Sequence, residues 1–126
     1  HAHPLARRRA VSPEEAAREP FIILVPEEFP DYHYFIDAVF ASTKNKPRIA
    51  EEHDSIGSII AAVEAGRGVA LATDRFVHAF GPRVKLLRFA PEPMTADIGL
   101  AARKGQLNPA TEKFWHVAKA AVPAHK

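Results

Sequence analysis

The hydrophobic positions of this chain change period several times, and each change predicts a new element. The run "FIILVP" at 21–26 is continuously apolar and ends in proline, as in a strand covered on both faces. From Asp31 to about residue 44 the apolar residues recur at helical spacing, and Asp31 can cap that helix. "PRIAEE" then predicts a second strand, and a second helical stripe runs from Ile56 to a left-handed end at Gly66.

Two further signals complete this part of the chain. Upstream, "VSPEEAARE" places Ser12 before Pro13 and Glu15 three residues after Ser12, a capping box that predicts a short helix. Downstream, "VALAT" at 69–73 predicts a third strand. The order α-β-α-β-α-β is typical of parallel strands joined by right-handed crossovers, so we expect an α/β fold with three α/β/α layers and a mainly parallel sheet.

The remainder of the chain has a different pattern. Residues 83–89 and 94–105 predict two extended segments, separated by the proline-rich "APEP". Asn108 followed by Pro109 predicts the start of a last helix. Its apolar residues fall on one side, and they are Phe114, Trp115, Ala118 and Val122.

Composition narrows the functional classes. The 126 residues are 47% hydrophobic and 25% charged, which is the size and balance of one globular domain. No apolar run approaches the about 20 residues of a membrane helix, and no secretory signal pattern begins the sequence. A net charge of +2 argues only weakly for nucleic acid, and we interpret Arg7, Arg8 and Arg9 as a solvated loop. The absence of cysteine excludes disulfides and agrees with a reducing cytoplasm.

Polar residues follow each of the three predicted strands. In an open parallel sheet the carboxyl ends of the strands converge at one edge, where helix N-termini also present free N–H groups. The three ends are Pro26-Glu27-Glu28, His53-Asp54-Ser55 and Thr73-Asp74. We expect a small-molecule pocket there. Each residue also has a structural interpretation, with Asp54 or Ser55 as a helix N-cap, His53 as a structural or surface histidine, and Pro26 as a strand stop.

Patterns for catalysis and metal binding are weak. Ser55 and Ser58 lie near His53 in sequence but without a nucleophile-elbow motif. The histidines of "HAH" at 1–3 and the remaining histidines have no ligand spacing. Glu51 and Glu52 are adjacent on a predicted strand, so they point to opposite faces and cannot form an acid and base pair. We therefore expect no enzyme, no cofactor and no metal.

Several motifs, taken in order, resemble the effector-binding domain of LysR-type transcriptional regulators. They are "HPLA" at 3–6, "VSPEEAAREPFIIL" at 11–24, "EEHDS" at 51–55, "AAVEAGRGVAL" at 61–71 and "IGLAARKG" at 98–105. No single motif is diagnostic, but their order and spacing extend over almost the whole chain. The resemblance implies a periplasmic-binding-protein-like (type 2) fold, in which a metabolite binds between two lobes and a separate winged helix-turn-helix reads DNA.

The resemblance also implies a division of the chain. Residues 1–89 would form lobe two, and residues 90–126 would form the crossover and part of lobe one, with the DNA-binding domain absent, so we interpret the sequence as a fragment. The implied effector-binding residues are Pro26, Glu27, His53, Asp54 and Ser55, together with Thr95 and Asp97 on the strand that re-enters lobe one.

The implied function is the sensing of a small metabolite, expected to be an organic acid, in a cytoplasmic regulator. An exposed helix N-terminus favours an anion by up to about 1 kcal/mol. Because the carboxylate of Asp54 would repel that anion, we expect Asp54 to fold back as the helix cap and leave His53 and backbone N–H groups to the ligand. A stand-alone solute-binding protein of the same fold is the alternative.

Two expectations concern macromolecular partners. The apolar residues within 94–122 predict a homodimer or higher association. The chain alone is not expected to bind operator DNA, because it has neither a helix-turn-helix pattern nor a large basic face.

Overall fold

A computed structural model describes residues 3–74, 77–92 and 99–122 of the chain, which divides into two compact units, His1–Ala96 and Asp97–Lys126. The assignment of 1–89 and 90–126 to two lobes stays a prediction. The first unit contains β1 (Ala10–Val11), α1 (Pro13–Ala16), β2 (Pro20–Leu24), α2 (Pro30–Val39), β3 (Arg48–His53), α3 (Ile56–Glu64), α4 (Val77–Phe80) and β4 (Arg88–Phe89), with 3-10 turns at Pro4–Arg7 and Gly81–Arg83. The second unit contains α5 (Pro109–Ala121).

Parallel pairing joins the strands of the first unit. β2 pairs with β3, with Phe21 beside Ile49 and Leu24 beside His53, and β1 pairs with β4. On the other side of β2, Phe21 forms an isolated parallel bridge with Val69. The predicted α/β class with parallel strands is therefore confirmed.

The β2 strand is buried on both faces, as its continuous apolar sequence predicts. Phe21 and Ile23 pack in one cluster with residues of α1 and α2, and Ile22 and Leu24 pack in another with residues of α3. Phe21 also meets Phe40 edge to face, with ring centroids 5.3 Å apart. Helices consequently cover both sides of β2, as the expected α/β/α layering requires.

Three predicted elements are shorter than expected. The predicted strand 69–73 is reduced to the bridge at Val69, because no described backbone hydrogen bond continues the ladder and the Leu71 carbonyl accepts the Tyr32 hydroxyl instead, at 3.0 Å. Of the extended segment 83–89, only Arg88–Phe89 is a strand. In the segment 94–105, the described residues 99–105 contain no strand, and 94–98 lie outside the described ranges.

The predicted helix from Asp31 to about residue 44 was wrong at both ends. It begins at Pro30, with Phe29 at the N-cap position and no side-chain cap, so Asp31 lies in the first turn instead of capping it. It ends at Val39, and side chains from beyond the helix donate hydrogen bonds to the carbonyl of the C-cap residue, Phe40. The Thr43 hydroxyl donates to the Phe40 carbonyl at 2.7 Å, and the Lys46 ammonium donates to the same oxygen at 2.6 Å.

The other helix signals are confirmed. Ser12 and Glu15 form the predicted capping box of α1, and Gly66 has the positive φ, 77°, expected of a left-handed helix end. Asn108 caps α5, accepting a hydrogen bond from the Thr111 N–H at 2.8 Å. None of the described helices is long and apolar enough to cross a membrane.

Candidate functional site

The ends of β2 and β3 meet at one edge of the sheet. The Val25 N–H donates to the His53 carbonyl at 2.9 Å, which places the residues after β2 beside those after β3. Pro26 is half-buried and Glu27 is exposed. Both therefore lie at the same strand edge as His53, as the parallel topology predicts.

The third segment leaves the sheet after its bridge to β2. That bridge is at Val69, and Thr73 follows later along the chain. The Thr73 hydroxyl oxygen is buried and has no hydrogen-bond partner among the described residues. An unsatisfied buried hydroxyl costs about 1–3 kcal/mol, but a ligand on the exposed strand edge does not reach this oxygen, because the atom has no exposed surface.

The cap of α3 is Ser55, and the expectation that Asp54 would be the cap was wrong. Ser55 directly precedes Ile56 in an extended conformation, so its hydroxyl reaches the Ser58 N–H at 3.3 Å. Asp54 is one residue too far from the helix to make this bond, and it is exposed. The Asp54 carboxylate therefore does not cap α3, and it stays available to interact with a ligand.

The first turn of α3 retains free donors. Ile56 and Gly57 are exposed, and none of the described groups accepts a hydrogen bond from their N–H groups. The first turn contains no acidic residue, and a Cβ at Gly57 would meet no atom within 4 Å. This helix N-terminus is accordingly open to an anion from the side of the solvent.

His53 is part of an ionic group that the sequence analysis missed. Its Nε2 lies 2.9 Å from Oε2 of Glu51, and Nη1 of Arg67 lies 3.4 Å from the same oxygen. The signal was the spacing of two between Glu51 and His53, which puts both side chains on one face of β3. The ring is thereby oriented through Nε2, and the His53 side chain is only 17% exposed.

Two side chains from the start of α2 hold the strand ends. The Tyr32 hydroxyl donates to the Leu71 carbonyl at 3.0 Å, and Nε2 of His33 lies 2.6 Å from the Leu24 carbonyl. Burial raises the pKa of Tyr32 to about 12. The sequence analysis assigned no contact to either residue, because no local pattern signals such contacts.

Two further predicted effector-binding residues, Thr95 and Asp97, fall in 93–98, outside the described residues. Within the described ranges, no group of three or more His, Asp or Glu side chains could hold a metal ion.

Parallel strands, helices on both faces and polar residues at one strand edge are typical of α/β domains that bind small molecules. The comparison with protein families is more specific, because the LysR substrate binding domain matches residues 1–123. The chain therefore belongs to this family, the effector-binding domain of LysR-type transcriptional regulators. No curated protein sequence matches the chain.

Proposed function

We propose that this chain is the effector-sensing part of a LysR-type transcriptional regulator, and that it binds a small metabolite at the strand edge formed by Val25 and His53, beside the N-terminus of α3. Family membership and the joined ends of β2 and β3 support this proposal. The single observation that carries the location is the hydrogen bond from the Val25 N–H to the His53 carbonyl, because it brings the ends of both strands to the exposed first turn of α3.

The groups at this edge favour an organic acid with one carboxylate. The free N–H groups of Ile56 and Gly57 and the positive end of α3 would receive the carboxylate. Glu27 and Asp54 are exposed carboxylates at the same edge, so a second negative group on the ligand would be repelled. A hydroxyl or amino group on the ligand would instead donate hydrogen bonds to them.

This proposal includes four broader expectations. The fold would be a periplasmic-binding-protein-like (type 2) lobe, the protein would be cytoplasmic, and it would bind its effector without transforming it. Homo-oligomerisation would use apolar residues of the second unit, where Phe114, Val117 and Val122 are exposed. Light scattering would test this last point, since the substitution Trp115→Glu should dissociate the assembly.

An amide titration tests the location and the ligand class together. Lactate, with one carboxylate and a hydroxyl, should shift the amides of His53, Ile56 and Gly57, whereas succinate should shift them less at equal concentration. Asp54→Asn should narrow this difference by removing one repulsive charge. Gly57→Pro, which deletes one N–H and is tolerated in a first helical turn, should weaken lactate binding.

Two results would contradict the proposal. Shifts confined to α5 would place the pocket in the second unit. An unchanged response in Gly57→Pro and Asp54→Asn would show that the α3 N-terminus does not select the ligand.

A further inference from the structure

The first unit contains a cavity of about 200 Å³ that does not include the candidate effector residues. It lies beside segment 69–72, and its walls come from both layers that flank β2. The α3 side contributes Ile60 and Val63, and the opposite side contributes Phe21. Phe89 of β4 and Leu87, just before that strand, complete the wall. The wall is therefore largely apolar, and it is built from side chains of separate elements.

Lys85 places a positive charge at the exposed rim of this apolar cavity. Lys85 and Ala6 both line the cavity, and the Lys85 ammonium donates to the carbonyls of Ala6 at 2.5 Å and Arg8 at 3.0 Å. These two bonds leave one N–H donor, and neither carbonyl neutralises the charge.

The other basic groups of the wall are already paired. Arg83 pairs with Glu64, and His3 lies 3.3 Å from a carboxylate oxygen of Glu19. Among the residues that the structure describes, no carboxylate pairs with Lys85. A ligand carboxylate would therefore add the partner that Lys85 lacks, although solvent screens this contact because the Lys85 side chain is exposed.

The size of the cavity limits the ligand. An apolar protein cavity of about 150 Å³ is known to take up benzene. A volume of about 200 Å³ accordingly suits one aromatic ring, or a branched chain of similar size, with a single small substituent. Polar metabolites with several hydroxyl or carboxylate groups would leave those groups unsatisfied against the apolar wall.

We propose that this cavity is a second ligand site, which takes a small apolar monocarboxylate with its carboxylate on Lys85 and its ring or branched chain against Val63 and Leu87. The site is separate from the strand edge proposed for the effector. Because its walls come from elements distant in sequence, occupancy would stabilise the folded first unit by mass action.

Benzoate is a suitable probe, benzyl alcohol is its uncharged counterpart of similar shape, and the full chain is the sample. Benzoate should bind saturably, shift the amides of Val63, Leu71 and Leu87, and raise Tm. Benzyl alcohol should bind about three- to fivefold more weakly, because it lacks the charge that faces the exposed Lys85.

Substitutions separate the cavity from the rest of the surface. Lys85→Gln keeps a hydrogen-bonding side chain but removes the charge, and should weaken benzoate about three- to fivefold, whereas Lys44→Gln, at another exposed lysine outside the cavity wall, should not. Val63→Phe should abolish binding by filling the cavity. If Val63→Phe does not fold, the comparison of Lys85→Gln with Lys44→Gln still tests whether benzoate binds in the cavity.

Three results would overturn the proposal. They are equal affinity for benzyl alcohol, equal affinity of Lys85→Gln, and benzoate shifts confined to 25–27 and 53–57. The last result would place benzoate at the strand edge proposed for the effector. Conversely, if lactate did not bind at that edge, the test of benzoate binding in the cavity would still stand. The failure of one proposal can thus be told from the failure of the other.

Discussion

Each of the two units contains a capped amphipathic helix, but the two helices differ in how much of their apolar stripe is buried. α3 and α5 each begin after a polar N-cap, Ser55 or Asn108, and each has an apolar stripe at helical spacing. α3 buries Ile59, Ile60 and Ala62, whereas α5 buries none of its residues in the described structure. Capping and periodicity therefore predict that a helix forms, but burial depends on the surface that its stripe meets.

The difference has an energetic consequence. In the first unit, burial of each large apolar side chain contributes about 1.5–3 kcal/mol relative to exposure. In the second, Phe114 is 63% exposed and Val117 is 62% exposed, so their apolar area contributes little to the stability of this chain. The stability of the protein should thus depend on the first unit.

The most direct way to break this comparison is to truncate the same residue type in both units. Phe21 is 2% exposed and packs against Phe40, so Phe21→Ala should destabilise the fold by about 3–5 kcal/mol. In a sample dilute enough to keep the chain monomeric, Phe114→Ala should cost less than about 1 kcal/mol, because it removes exposed area. Urea unfolding followed by circular dichroism measures both. A comparable loss in the two variants would show that α5 is buried against something in solution.

A pair of glycines sharpens the comparison inside the first unit. A Cβ at Gly68 would lie 2.5 Å from the Pro20 carbonyl oxygen, where the Val69 N–H also donates, whereas one at Gly57 would meet nothing within 4 Å. Gly68→Ala should therefore cost about 1–3 kcal/mol by forcing segment 69–73 away from β2. Gly57→Ala should be neutral or stabilise by up to about 1 kcal/mol. Equal midpoints in urea for the two variants would contradict the close approach at Gly68.

Tyr32 provides a pH-dependent test of how α2 holds segment 69–73. Burial raises the pKa of Tyr32 from 10.0 to about 12, so the folded state holds the phenolic proton more tightly than the unfolded state. The resulting stability is complete below pH 10 and is lost as the pH rises toward 12. Tyr32→Phe should remove this part of the alkaline loss and cost about 0.5–1.5 kcal/mol at neutral pH, because the Leu71 carbonyl loses its donor.

The control for that experiment is Tyr34, which is 76% exposed and two residues away on the same helix. Tyr34→Phe should leave the stability profile between pH 10 and 12 close to that of the wild type. If both variants behave alike, the alkaline loss does not come from Tyr32.

Much of the first unit could be predicted from sequence because local signals determine it. The continuous apolar run of β2 predicts burial on both faces, and the capping box at Ser12 and the glycine at Gly66 predict helix ends that the structure confirms. The end of α2 could not be predicted, because Lys46 and Thr43 cap it from outside the helical pattern. The length of the predicted third strand was wrong for a similar reason, since the Tyr32 hydroxyl donates a hydrogen bond to the Leu71 carbonyl.

The convergence of polar residues at one strand edge was predictable from sequence, but their contacts were not. Parallel topology places Pro26, Glu27 and His53 at one edge, since strand ends converge regardless of their side chains. The contact between Arg67 and Glu51 depends on a long side chain from a loop distant in sequence, and the unsatisfied hydroxyl of Thr73 depends on how the third segment diverges. Neither can be read from spacing.

The smallest expected effect tests which polar residue of the edge serves the fold. Ser55→Ala should cost about 0.5–1 kcal/mol, because the hydroxyl that accepts from the Ser58 N–H is removed and α3 packs its stripe on β2. Asp54→Ala should change stability by less than about 0.5 kcal/mol, because its side chain is exposed and caps nothing. Chemical unfolding of both variants beside the wild type gives the comparison, with Ser58→Ala checking the hydroxyl pair that Ser55 shares. If Asp54→Ala lowered the free energy of unfolding more than Ser55→Ala, Asp54 would be the residue that caps α3. That result would also remove Asp54 from the groups available to select a ligand.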